Sequence, residues 1–366
     1  MKKTILLSIS ILLLACQKTK ISELPKISVD IDQDVSLTLS TITDEIKAIE
    51  LELTDESMIN PDQILRALLY ANNVIIAERD KILLFNIDGT FIRSVGSRGQ
   101  GPGDFLNISN LTVDENNKRL YVSSGSKIIC YDLDGNFLKE SQIAPELLPV
   151  KDMNYVNSEL LIVVERVEMA DSKGPFQHSV VYKLNDSLQI IDSCNIRNTY
   201  FDQTSKYVHI FQNFILYGNN IIQLYYSDIY NKMQNPLEPV LRDTLYSIKK
   251  NHLIPELKLL FKNDGIDGYG NKYIQLYNIY RSSRYVFALY RNDNRMGYYY
   301  FCYDITKKNG YNMKNGYKDD IYIIDKPIKI YPFNSDTEMF YYWHTHIKAD
   351  DIEESNPTLY IGTLKK

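Results

Sequence analysis

The chain has 366 residues, 44% of them hydrophobic, 24% charged and 12% aromatic, a balance that excludes a disordered chain, a collagen-like fibre and a polytopic membrane protein. A formal charge of −5 argues against nucleic acid and anionic lipid surfaces as partners. With 29 Tyr and 13 Phe against one Trp, the composition favours half-buried strands in which aromatic rings pack, so a mostly β protein is expected.

Lys2 and Lys3 precede an apolar stretch over residues 5–14 that closes in Leu13-Leu14-Ala15-Cys16. A basic start, an apolar run too short for a stop-transfer helix and a small residue before a cysteine predict a signal peptide over residues 1–15. The Leu-Leu-Ala-Cys run resembles the bacterial lipobox, which implies that Cys16 is diacylated and becomes the mature N-terminus. An ordinary secretory peptide with an incidental cysteine is the alternative. Cleavage removes two lysines and takes the formal charge from −5 to −7. Residues 16–40 are polar and irregular, contain Pro25, and are predicted to be a tether between the lipid and the fold. Gln17-Lys18-Thr19-Lys20 lacks both an Asp after Cys16 and an acidic stretch, so the outer membrane, facing the periplasm, is the expected address. Cys130, Cys194 and Cys302 are odd in number and show no Cys-x-x-Cys spacing; they are expected to be buried apolar residues.

A repeat decides the architecture of residues 41–366. The thirteen residues from Lys81 to Arg93 align without gaps to those from Lys127 to Lys139, an offset of 46, and Val74-Ile75-Ile76 falls on Leu120-Tyr121-Val122 at the same offset. Each unit reads as a strand, a polar turn, a strand ending in apolar-x-Asp-Gly, and a further strand. Asp-Gly is a hairpin signal because Gly accepts positive φ without steric cost. Weaker echoes start at Val181, Asp243, Phe301 and Thr358, which brings the count to six. Six antiparallel meanders of this length predict an all-β, six-bladed β-propeller with four-stranded blades; a β-sandwich or two small β domains is the alternative. The alternating stretch 45–53 precedes the first unit and is expected to be the outer strand of the last blade, closing the ring.

The segments 43–57, 91–105 (with Gly96-Ser97-Arg98-Gly99-Gln100-Gly101-Pro102-Gly103), 242–246 and 354–359 resemble the six-bladed β-propeller lipoproteins of gut-type anaerobic Gram-negative bacteria, which are distantly similar to NHL-repeat propellers. The resemblance spans nearly the whole mature chain. It implies a cell-envelope binding or scaffold module. It also implies one binding rim made of the second-to-third-strand loops and the blade-to-blade connections, which would carry Arg79, Asp80, the loop 96–105, and residues 123–126, 165–179, 227–241, 291–295 and 344–354.

The glycine-rich loop can offer consecutive N–H groups to an anion, with Arg98 adding charge, although a tight crossing between blades that needs positive φ at several glycines is the better explanation of the composition. The P-loop pattern is absent and a strand follows the loop. His344 and His346 share a side of an extended segment, but two imidazoles do not make a metal site. Trp343 reads either as a stacking platform or as a packing residue. Residues 268–303 interleave tyrosines with Arg281, Arg284, Arg291 and Arg295, most of the rings being expected to pack between blades. No catalytic motif occurs. The expected function is therefore non-catalytic binding of a glycan, peptide or envelope protein partner through Arg98, Tyr225, Arg291 and Trp343, with membrane attachment at Cys16, no nucleic acid and no cofactor. The alternative is a lactonase-like hydrolase or lyase holding a divalent metal in the central channel, where Asp104, Glu165, Asp228 and His344 would have to converge.

Overall fold

The computed structural model describes residues 23–144, 148–171, 174–200, 214–217, 222–226, 242–266, 268, 273–333, 338–345 and 355–366. Six antiparallel sheets, the blades, follow one another around a ring. Blade one is Arg66–Tyr70, Asn73–Ala77, Ile82–Asn86 and Phe91–Ser94. Blade two is Ile108–Asp114, Arg119–Ser124, Lys127–Asp132 and Phe137–Gln142. Blade three is Val150–Val156, Glu159–Asp171, Gly174–Leu184 and Ile190–Tyr200. Blade four is Phe214–Tyr217, Ile222–Tyr226, Thr244–Lys249 and His252–Phe261. Blade five is Ile274–Arg281, Tyr285–Asn292, Gly297–Asp304 and Asn309–Lys314.

Blade six joins the two ends of the chain. Tyr331–Pro332, Met339–His344 and Thr358–Leu364 take Thr43–Glu50 as their outer strand, with Ile49 opposite Leu359 and Ile46 opposite Gly362. Ile46 and Ile49, three residues apart in an unbroken ladder, point to opposite faces and are buried in the seams with blade five and with blade one, while Glu45, Lys47 and Glu50 remain in water. All six repeat echoes of the sequence fall on the third strand of their blades, next to the turn where Gly89 (φ +97°) and Gly135 (φ +84°) use positive φ.

The core is divided among the six seams between blades, and each seam holds its own apolar cluster. Cys130, Cys194 and Cys302 lie unpaired in three of these seams, and burial pushes each thiol up. Tyr290 and Tyr299 fill the seam of blades four and five, and Tyr280, Tyr285 and Tyr300 that of blades five and six, as expected for the tyrosine-rich segment.

One expectation changes at the N-terminus. The predicted tether over 16–40 joins the fold by Lys26, because Lys26–Val29 pairs in parallel with His252–Phe261 as a fifth strand of blade four. Ile27, Val29 and Ile31 are buried by this pairing, which also covers the row of N–H and C=O groups that an outer strand leaves open. The chain then crosses blade five, where the Val35 N–H donates to the Asn312 carbonyl at 2.9 Å, and turns through Leu39–Ile42 into the closing strand. Residues 23–50 thus form a belt over three blades.

Candidate functional site

Hydrogen bonds between turns define two rims. On the hairpin rim, first-to-second and third-to-fourth strand turns bond to each other, as in Ile87 N–H to Asn72 O at 2.7 Å, Leu133 N–H to Lys118 O at 3.2 Å and Ile305 N–H to Arg284 O at 2.8 Å. On the crossover rim, second-to-third strand turns meet the blade-to-blade connections, as in Ile108 N–H to Arg79 O and Ile143 N–H to Ser126 O, both at 2.7 Å.

The crossover rim carries the residues expected from the sequence, but not as one cluster. Arg98, on the short strand Ser97–Arg98, has a side chain 68% exposed and stands 4.0 Å from Asp80. Arg291 is the penultimate residue of the second strand of blade five and pairs with Asp293 at 2.6 Å. Trp343 is half-buried in the seam of blades six and one and stacks on Tyr331, with ring centroids 5.0 Å apart and planes within 3°. Tyr225 is not a surface residue: it is fully buried, and its hydroxyl bonds to the Arg242 and Leu276 carbonyls at 2.9 and 3.0 Å. A tyrosine whose ring and hydroxyl are both satisfied inside a seam is a packing residue, which corrects the expectation of a ligand contact. Residues expected to loop over 165–179 instead extend the second and third strands of blade three, pairing Glu165 with Ser179 and Glu168 with Phe176. Cys16, Asp228, His346 and the stretches 227–241 and 346–354 lie outside the described residues.

The Gly99, Gly101 and Gly103 N–H groups of the glycine-rich loop are already bonded within the fold. Gly101 N–H donates to Asp104 Oδ2 and Gly103 N–H to Glu140 Oε2, each at 3.0 Å, and Lys127 Nζ bonds Glu140 at 2.9 Å and the Gly101 carbonyl at 3.3 Å. The Gly103 N–H and the Lys127 ammonium hold the Glu140 carboxyl below the usual carboxylate range. Tyr131 donates its hydroxyl to the Gly103 carbonyl. A Cβ on Gly96 (φ +67°) would meet the Tyr131 hydroxyl at 2.5 Å. Internal carboxylates thus occupy the positions that a bound anion would take, and the loop is a tight crossing between blades.

The hairpin rim offers a different arrangement, a cleft of about 530 Å³ between blades two and three lined by Val113, Asp114, Glu115, Asn116, Tyr155, Val156, Asn157 and Ser158. The first strands of the two blades position it, because the Tyr155 N–H donates to Thr112 Oγ1 at 3.0 Å and the Thr112 hydroxyl to Asn154 at 3.2 Å. Asp114 is wholly buried and accepts from the Asn117 backbone N–H at 3.1 Å and side-chain amide at 2.7 Å. The Tyr155 ring stacks on Tyr121 at 5.6 Å, and its buried hydroxyl lies beside the Asp114 carboxylate. Burial, and then hydrogen bonding to Asp114 and its charge, push this phenol up, so it stays protonated; burial likewise pushes Tyr121 up to about 12. Asn157 and Ser158, at φ 51° and 65°, form the two-residue turn on one lip of the cleft. A protonated phenol, two carboxylates, two amides and a hydroxyl suit recognition by hydrogen bonding. Sequence reasoning missed this site; the polar turn was legible, but the meeting of Tyr155 and Asp114 across the seam had no local signal.

Among the described residues no group of three or more His, Cys, Asp or Glu is placed to hold a metal. Asp104 caps the glycine loop, Glu165 stands 3.7 Å from Lys151, and His344 ends a strand opposite Thr358.

No curated protein matches the sequence. Among solved structures, a protein of Bacteroides fragilis described as exported shares 17% identity with a TM-score of 0.63, over 93% of this chain and 99% of that one, a likeness that shows the fold. The Pan2 WD40 domain of Neurospora crassa (9% identity, 83% of this chain and 76% of that one, TM-score 0.40) and a protein of unknown function from Bacteroides caccae (9%, 78% and 90%, TM-score 0.37) are too distant to carry an argument. A family model described as a domain of unknown function, DUF4934, matches residues 24–365, and the chain belongs to that family.

Proposed function

We propose that the chain is a lipid-anchored propeller of the cell envelope, attached at Cys16 to the periplasmic face of the outer membrane, that binds a glycan, peptide or protein partner without chemistry of its own. The fold and the likeness to a protein described as exported support a binding module in that setting. The observation that carries the reading is the cleft on the hairpin rim, where a protonated Tyr155 and the buried Asp114 stand among amides and a hydroxyl that line open space. Each hydrogen bond that a ligand makes to such groups contributes roughly 0.5–1.5 kcal/mol, and more where the group is charged. The acidic, amide-rich lining suits a ligand rich in donors, such as a polyol or a basic peptide.

A second surface rests on Trp343, whose stack with the 37% exposed Tyr331 brings an aromatic face to the crossover rim, where Arg98 and Arg291 stand on other blades. Titration calorimetry of glycan and peptide panels against the wild type, Tyr155→Phe and Trp343→Ala tests the choice. Loss of affinity in Tyr155→Phe alone is the expected outcome. Loss in Trp343→Ala alone moves the site to the opposite rim, and the absence of any ligand in either panel counts against the reading as a whole.

A further inference from the structure

Between blades five and six the chain inserts a hairpin, Tyr317–Asp319 with Ile324–Ile328, whose tip holds Ile321, Tyr322 and Ile323 at 40%, 40% and 81% exposure. Ile323 has φ 56°, a left-handed conformation that a β-branched residue adopts only under constraint. The constraint is visible: the Tyr322 hydroxyl donates to the Ile46 carbonyl at 3.1 Å, and its ring packs edge-on against Tyr360 at 4.8 Å. The tip is therefore propped outward.

A chain of contacts ties the tip to a group of lysines on the hairpin rim. Ser40 N–H donates to Asp320 Oδ1 at 3.0 Å, Lys365 Nζ to the Ser40 carbonyl at 2.6 Å and Arg284 Nη1 to the Lys366 carbonyl at 2.9 Å. Arg284 also bonds Asp304 at 2.8 Å, and the turn that follows carries Lys307 and Lys308. Asp304 is shared by Arg284 and, at 4.0 Å, by Lys307, and Asp44 stands near Arg284, so that Lys307, Lys308, Lys365 and Lys366 gather with these carboxylates on the rim that holds the tip, although the chain as a whole is acidic. The N-terminus leads to the same side. Lys26–Val29 runs parallel to His252–Phe261, so the preceding residues leave toward the turn at 250–251, on the hairpin rim. Ten residues from Cys16 to Pro25 reach at most about 33 Å.

We propose that this face of blades five and six is a membrane-contact surface, with the apolar tip at 321–323 entering an anionic phospholipid interface and the lysines meeting its headgroups. Isoleucine and tyrosine supply interfacial insertion and the lysines electrostatic attraction, a pairing that strengthens a single lipid anchor. The inference rests on the lipid-anchor reading for bringing this rim to the bilayer.

The test uses the full chain, processed at Cys16, on phosphatidylglycerol-containing vesicles with acyl chains brominated near the headgroup. Ile323→Trp reports the tip, and Met296→Trp, at a site 88% exposed on the crossover rim, is the control; each is read against the parent chain with its single tryptophan. Quenching of Ile323→Trp by roughly twofold, with Met296→Trp unchanged, is expected. The pair Lys307→Glu, Lys308→Glu should return that signal to the parent level. Flotation with the vesicles but no quenching at Ile323→Trp, or at the second reporter Ile321→Trp, overturns the surface and leaves the anchor standing. A processed chain that does not float overturns the anchor reading and the inference with it. Unquenched tips in a chain that sediments as a dimer identify a second copy as the occupant instead, and equal quenching at both rims also overturns the proposal.

Discussion

The glycine-rich crossing between blades one and two and the cleft between blades two and three share blade two, yet their polar atoms meet opposite fates. In the crossing, the Gly101 and Gly103 N–H groups are bonded by Asp104 and Glu140, and Lys127 completes the set. In the cleft, the Tyr155 hydroxyl and Asp114 stand among amides and a hydroxyl that line open space. Unusual composition therefore marks a place where the backbone is difficult to build, whereas the proposed binding cleft is lined by ordinary residues. Substitutions in the crossing should change stability and leave binding alone, and substitutions in the cleft should do the reverse.

Gly96→Val is expected to have the largest effect. Its Cβ would stand 2.5 Å from the Tyr131 hydroxyl and 2.9 Å from Phe105 in a backbone at φ +67°, so a loss on the order of 4 kcal/mol in urea unfolding is expected, with unchanged affinity in the folded fraction. Glu140→Gln keeps an acceptor for Gly103 but loses the charge opposite Lys127, which should cost about 1 kcal/mol at neutral pH. Because the folded protein holds this carboxyl low, its contribution is present above the unfolded value of about 4.3 and is lost as pH falls through the folded one. Unfolding curves of wild type and Glu140→Gln should then converge in acid.

Tyr155→Phe removes the phenol O–H beside Asp114, so ligand affinity should fall roughly tenfold while stability changes by no more than about 1 kcal/mol. A destabilised Tyr155→Phe with intact affinity would make the phenol structural. Arg98→Ala should shift stability by less than about 0.5 kcal/mol, given the exposed side chain and the 4.0 Å separation from Asp80.

Features that depend on local pattern were legible in the sequence. The 46-residue offset, the Asp-Gly turns and the alternation at 45–53 fix strand, turn and face within a few residues, and they led to the six blades and to the closing strand. Lys26–Val29 escaped notice because four residues flanked by polar ones carry too little periodicity, and what makes them a strand is an open edge more than two hundred residues away. Tyr225 resembles any other tyrosine until its two carbonyl partners are in view. The cleft could not be read because it depends on residues 114 and 155 meeting across a seam, which leaves no trace in composition.

Amide hydrogen exchange with and without the ligand recovered from the panels tests the central claim most directly, because it reports both rims in one experiment. Slowed exchange at residues 115–117 and 157–158, with residues 97–103 and 343–345 unchanged, is the result predicted. Protection at 97–103 and 343–345 with none at the cleft would contradict it.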